Sequence, residues 1–302
     1  MNLALSCTAL SKKFGEISAL QNINIDVERG ELFGVIGPDG GGKTTLFRIL
    51  ATLLIPDDGD AQVLGFDSIK DYLSIRKRIG YMPGRFSLYH DLTVKENLQF
   101  YSSVFKVDIE KNYGMIASVY DQLKPFANRR AGKLSGGMKQ KLALSCALIH
   151  KPELLILDEP TTGVDAVSRI EFWNTLDSLK EDGMTILVST PYMDEANRCD
   201  RIAMIQKGEL LYVDSPKSLI DNYSEPLFAA SSLDRFVLLN RLEQVPWIDL
   251  VYLCGQEVHF VLRDVKHDKL LEYFKKNEWG DVTISQIQPT VEDCFISLMK
   301  TR

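Results

Sequence analysis

Paired cysteines are missing from this chain. The five cysteines, Cys7, Cys146, Cys199, Cys254 and Cys294, are odd in number and scattered, with no CxxC pair among them. That excludes a disulfide framework and the usual zinc spacings, and the expectation is a reducing compartment without structural zinc. A basic excess is missing too: 41 acidic residues outnumber 35 basic ones, for a net charge of −6. A protein that binds nucleic acid by neutralising phosphates would need the opposite balance. No apolar run approaches the ~18–20 residues that cross a bilayer. The opening Met1-Asn2-Leu3-Ala4-Leu5 has no basic segment ahead of its apolar residues, unlike a secretory signal. The chain is therefore expected to be soluble, or to reach a membrane only through a partner. Repeats and low-complexity tracts are absent as well.

What is present is enough apolar material, 45% of 302 residues, for about two domains. Strands are expected within residues 22–36, ending in the continuous run Leu32-Phe33-Gly34-Val35-Ile36, as in a strand buried on both faces. A helix follows from about Lys43 to Leu54, then a turn at Pro56-Asp57-Asp58-Gly59. Thr93-Val94-Lys95-Glu96 is a capping-box pattern that starts a helix running to about Phe105. Residues from about 91 to 150 read as an α-helical insert. Strands at Leu154–Leu157, Thr185–Val188 and Arg201–Gln206 resume the rhythm, with a helix carrying Ile170, Trp173, Leu176 and Leu179 on one face and a short one near Met193. This alternation predicts an α/β fold with a mostly parallel sheet over residues 1–222. Residues 223–302 read instead as β-α-β-β-α-β, a small ferredoxin-like α+β domain, with helices at Leu233–Leu242 and His267–Asn277. Thr290 is placed as the N-cap of a last helix.

Three segments carry chemistry. Gly37-Pro38-Asp39-Gly40-Gly41-Gly42-Lys43-Thr44, followed by Thr45, matches G-x-x-x-x-G-K-[ST] between a predicted strand and a predicted helix. Glycines there let backbone N–H groups converge on phosphate, and the helix start adds its positive dipole end. Lys43 is expected on the β/γ-phosphates of ATP and the Thr44 hydroxyl on Mg²⁺. Asp158 and Glu159 end an apolar strand, where a carboxylate can meet the magnesium shell. Leu134-Ser135-Gly136-Gly137-Met138-Lys139-Gln140 ends 18 positions before Asp158 and reads as a helix start with Ser135 as N-cap.

With these segments in this order, residues 3–222 resemble the ATP-binding subunits of ABC transporters, and the tail Ile287–Phe295 resembles drug-efflux types. The resemblance implies that Glu159 is the carboxylate that activates water, working beside Lys43. It implies that Asp158 and Thr44 hold the metal, that Phe14 stacks on adenine, and that the Asp165 loop crosses to a second subunit. Ser135, Gly136, Gly137 and Gln140 would close on nucleotide held by that subunit. The implied partners are transmembrane permease subunits and a second ATPase subunit. The implied location is peripheral, on the cytoplasmic face of the inner membrane.

Two positions depart from the family pattern. Gly84 follows Ile79-Gly80-Tyr81-Met82-Pro83 where the pattern has glutamine, and Pro191 follows Ser189-Thr190 where it has histidine. Glycine has no side chain to meet metal or water, and proline lacks even a backbone N–H. Slow hydrolysis at this chain's own site is expected, and a heterodimer is favoured over a homodimer of two slow sites. The alternatives are a soluble ABC ATPase without a membrane partner and a nucleotide-switched regulatory pseudo-ATPase.

Overall fold

A computed structural model describes residues 2–263, 273 and 282–300. The chain forms two compact units, Met1–Pro216 and Lys217–Arg302. The short helix Pro216–Asp221 starts at the last residue of the first unit and runs into the second, where the Leu219 carbonyl meets Cys294 Sγ at 3.8 Å.

In the first unit six strands form one sheet, in the order Glu209–Asp214, Arg201–Gln206, Leu32–Ile36, Thr185–Thr190, Leu154–Asp158 and Ile79–Met82. The five from Arg201–Gln206 onward run parallel, and Glu209–Asp214 joins the edge antiparallel. Every residue of Leu32–Ile36, Leu154–Asp158 and Thr185–Thr190 is buried. Burial on both faces is why their apolar residues run on without alternation, as in Leu154–Leu157 and Ile186–Val188. Helix Lys43–Leu50 packs Leu46, Phe47, Ile49 and Leu50 into this core.

A second, antiparallel sheet corrects the sequence reading. It orders Ile17–Glu28, Leu3–Phe14, Asp58–Val63 and Phe66–Asp67. Leu3–Phe14 had no strand expected over it, and Asp58 and Gly59, expected in a turn, open a strand. The reason lies in one-sided burial: Ala4, Leu5, Cys7 and Leu10 face the core while polar neighbours face water, so no continuous apolar run marks the strand. The helix after the glycine-rich loop also stops at Leu50 rather than Leu54.

The insert contains helices Val94–Phe105, Ile109–Tyr120 and Gly136–Leu148. Thr93 Oγ1 accepts from the Glu96 N–H at 3.2 Å, and the Glu96 carboxylate accepts from the Thr93 N–H at 2.8 Å. Such a cap contributes about 1 kcal/mol. Helix Ala166–Glu181 buries Phe172, Trp173, Leu176 and Leu179. Ile170, expected on that face, is 59% exposed; Phe172, two residues on and about 200° round the helix, takes an inward position instead.

At the end of the insert the His150 ring stacks on Phe105, with centroids 3.8 Å apart. Its Nε2 donates to the Ile79 carbonyl at 2.9 Å, and its Nδ1 is buried without a partner among the described residues. Burial lowers the His150 pKa from its ordinary 6.5, opposed by the Ile79 contact. An unfolded chain would therefore take up a proton that the folded one resists. Stability contributed at this site is present above pH 6.5 and falls as pH drops below it. Urea titrations at pH 7.5 and pH 5.5 (about a unit either side of the free histidine value) will show that fall. In His150→Gln the difference between the two titrations shrinks.

The second unit orders its strands Ile248–Cys254, Glu257–Leu262, Leu227–Ser231 and Thr283–Gln286, all antiparallel. In chain order that is second, third, first, fourth, the split βαβ arrangement. Helix Arg235–Glu243 packs Leu238 and Leu242 with Phe228, Ala230, Val258, Phe260 and Leu262 on one sheet face. The helix expected at His267–Asn277 lies outside the described residues, Tyr273 excepted. Thr290 caps the last helix, Val291–Lys300, accepting the Asp293 N–H at 3.3 Å.

Candidate nucleotide site

The loop between strand Leu32–Ile36 and helix Lys43–Leu50 carries residues 37–42. Gly42 has φ 111°, and a Cβ there would lie 2.5 Å from the Ala19 carbonyl oxygen. No other residue type can make this turn. Lys43 follows at 3% exposure. Its Nζ donates to the Gly37 carbonyl at 2.8 Å and the Pro38 carbonyl at 3.0 Å, and pairs with Glu159 Oε1 at 3.1 Å. A buried ammonium held, among the described residues, by loop carbonyls and one carboxylate is positioned to exchange them for phosphate oxygens. Asp39 and Gly40 are exposed on the rim of the loop.

Neighbouring strands bring the acids in. Thr44 Oγ1 donates to Asp158 Oδ1 at 3.2 Å. Ser189 Oγ donates to the same oxygen at 2.8 Å and accepts the Glu159 N–H at 2.9 Å. Ser189 had no site role in the sequence reading. The signal that reveals it is register: Asp158 pairs with Ser189 across parallel strands. Glu159 has φ 49°, a left-handed conformation that costs of order 1–3 kcal/mol and clusters at functional positions. It turns the carboxylate back toward Lys43. Burial raises the Asp158 pKa above its ordinary 3.8; the Ser189 and Thr44 hydroxyls oppose the rise, Glu159 adds to it and Lys43 opposes it. Two carboxylates beside one ammonium leave surplus negative charge. With the Thr44 hydroxyl they make an oxygen donor set that fits Mg²⁺.

Phe14 ends strand Leu3–Phe14 at 49% exposure, with Lys12 Nζ 5.7 Å from its ring centroid. It is a surface aromatic and not a core residue. Thr45 lies in the first turn of helix Lys43–Leu50.

Ser135 caps helix Gly136–Leu148, accepting the Met138 N–H at 3.4 Å. Ser135 and Gly136 are exposed, and Gln140 is partly so. A Cβ on Gly137 would lie 2.5 Å from Ser168 Oγ, so glycine lets this helix start press on helix Ala166–Glu181, which Asp165 caps through the Ser168 N–H at 3.0 Å. Among the described residues no hydrogen bond or ion pair joins Ser135, Gly136, Gly137 or Gln140 to the glycine-rich loop.

A Cβ on Gly84 would lie 3.1 Å from the Asp158 carbonyl oxygen. Pro191 follows strand Thr185–Thr190 directly. Beside it, Glu195 is 3% exposed and accepts from Thr161 Oγ1 at 2.9 Å and Thr190 Oγ1 at 2.5 Å. Arg169 Nε pairs with it at 3.3 Å. The sequence reading did not find this buried carboxylate, because its partners come from three separate segments.

The family model for ABC transporters matches residues 20–162. The probable multidrug ABC transporter ATP-binding protein YbhF of Escherichia coli is 38% identical over 98% of this chain and 52% of its own length. This chain thus spans about half of that relative. The Nod factor export ATP-binding protein I of Rhizobium sp. is 38% identical over 98% of this chain and 97% of its own. The dimeric post-hydrolysis ATP-binding cassette MJ0796, bound to ADP and Pi, superposes with a TM-score of 0.63 at 28% identity, covering 70% of this chain and 98% of that one. Fold, segment order and full-length relatives agree: the chain belongs to the ABC transporter family.

Proposed function

We propose that this chain is the ATP-binding subunit of an ABC exporter, an ATPase whose membrane-spanning subunits are separate chains. The observation that carries the reading is the Lys43 ammonium, buried among Gly37, Pro38 and Glu159 beside the Thr44–Asp158 pair. Residues 37–45 bind the triphosphate through backbone N–H groups and Lys43, and Phe14 offers an exposed ring for adenine. Mg²⁺, when bound, neutralises phosphate charge; Thr44 and Asp158 are the residues that would hold it. Glu159 positions the attacking water as general base.

Hydrolysis at this site is slow. Gly84 puts no polar side chain beside Asp158, and Pro191 offers no donor beyond Thr190. Loss of one preorganised transition-state donor typically slows chemistry ~10²–10³-fold. The exposed Ser135 and Gly136 at this helix start remain available to close over nucleotide on a second subunit. A heterodimer with one slow site therefore fits better than a homodimer. The relatives' names mention multidrug transport and Nod factor export, which supports export but names no single cargo. In this reading the chain sits on the cytoplasmic face of the membrane through its permease partners, consistent with the lack of any described helix long and apolar enough to cross a bilayer.

Calorimetry on the purified chain will show MgATP binding with turnover far slower than binding, and solubilised membranes will yield it with polytopic partners. Absence of nucleotide affinity in folded protein would refute the nucleotide role. Brisk turnover by the lone chain would refute the slow site.

A further inference from the structure

The sheet face opposite the Leu238–Leu242 helix carries a second cluster of chemical groups. On strands Ile248–Cys254 and Glu257–Leu262, Tyr252 pairs with His259 and Cys254 with Glu257. Alternation along both strands therefore puts all four on one face. The last helix, Val291–Lys300, brings Glu292 and Asp293 to the same place. Ligand-type atoms of Cys254, His259 and Asp293 all lie within 4.8 Å of one another. Cys254 Sγ lies 3.9 Å from Glu292 Oε2, and His259 Nε2 lies 4.0 Å from Glu257 Oε2.

Asp293 is not free to bind anything else. It is fully buried. Its Oδ1 accepts from His259 Nδ1 at 2.7 Å and Tyr252 at 2.6 Å, and its Oδ2 accepts from the Thr290 N–H at 2.7 Å and hydroxyl at 2.6 Å. It thereby holds the His259 tautomer: with the proton on Nδ1, the Nε2 lone pair points away from Asp293. A carboxylate behind a histidine is the usual way a protein orients a metal-binding imidazole. His259 is only 5% exposed, and among the described residues its Nε2 has no hydrogen-bond partner, since Glu257 at 4.0 Å is too far.

We propose that Cys254 Sγ, His259 Nε2 and the Glu257 and Glu292 carboxylates bind a divalent transition ion of the zinc class, with Asp293 as the positioning residue behind His259. Ligand atoms around tetrahedral zinc lie roughly 3.3–3.6 Å apart, given bonds of ~2.0–2.3 Å. The two measured separations exceed that by a few tenths of an ångström, within the reach of side-chain adjustment at partly exposed positions. A mixed sulfur, nitrogen and oxygen set selects a borderline-soft ion over Mg²⁺ or Ca²⁺. Cys254 is also the one cysteine of the five that is not buried. Sequence spacing concealed this set, because a hairpin and a helix start about forty residues apart supply it. The ion would tie the hairpin to the last helix.

The test uses the full chain without a polyhistidine tag, stripped of metal and titrated with Co²⁺. A single tight site should appear, with tetrahedral d–d absorption and a thiolate-to-cobalt charge-transfer band, both bleached by Zn²⁺. Cys254→Ser should lose the charge-transfer band. Glu292→Gln, at an exposed position, should weaken Co²⁺ binding while circular dichroism stays unchanged. Asp293→Asn, where it folds, should keep the band but bind about 10–100-fold more weakly. A folded wild-type chain without the band, or a band that survives Cys254→Ser, overturns the proposal and leaves a polar cluster that merely caps the last helix.

Discussion

Pro191→His should raise the ATP turnover of this chain's own site by about 10–100-fold, a large part of what one transition-state donor is worth. The position directly follows Thr190, whose strand is paired through Ser189 with Asp158, so a side chain there starts from a fixed point beside the Asp158–Glu159 strand end. Proline can donate nothing, whereas histidine restores a donor that also titrates near neutrality. Thr190 is already extended, as a residue before proline prefers, so removing the ring costs the strand little. The check is steady-state phosphate release with MgATP affinity measured in parallel. Unchanged turnover with intact binding would mean that the slow step lies elsewhere, with Gly84 the next candidate. Gly84→Gln demands more of the structure, since its Cβ meets the Asp158 carbonyl oxygen at 3.1 Å and the loop must shift by a few tenths of an ångström.

Lys43→Met should weaken MgATP binding at least about 100-fold. Each hydrogen bond to a charged group contributes about 1.5–3 kcal/mol, and the ammonium is placed to make more than one to phosphate. Methionine keeps most of the aliphatic stem, so the core contact with the loop survives. It leaves Glu159 Oε1 without the cation now 3.1 Å away, a modest penalty because Glu159 is 20% exposed and water can reach it. The discriminating measurement is the melting temperature with and without saturating MgATP. Wild type should gain stability through binding, and the variant should gain almost none. An equal gain in both would remove Lys43 from the triphosphate site.

The elements legible in the sequence were those whose signal is local. The apolar strands Leu32–Ile36 and Leu154–Asp158, the capping box at Thr93–Glu96 and the Ser135 helix start all stand where residue type and spacing placed them. Strand Leu3–Phe14 was missed because only four of its twelve residues are buried. The inward face of helix Ala166–Glu181 was misjudged by including Ile170, because helical period alone leaves the phase of the apolar stripe free by a residue.

By itself the sequence determined the glycine-rich loop and the helix that follows it, since a glycine-rich turn, a lysine and a helix start are contiguous and depend only on backbone geometry. It also determined that the chain alternates strands and helices before changing texture near residue 220. Only the tertiary structure decided which strands lie side by side. That choice sets Ser189 against Asp158 and Glu159, buries Glu195 among Thr161, Thr190 and Arg169, and gathers Cys254, Glu257, His259 and Glu292 on one face. Neighbour order in a sheet is a global property, fixed by how all the apolar faces are covered at once, so no local spacing records it.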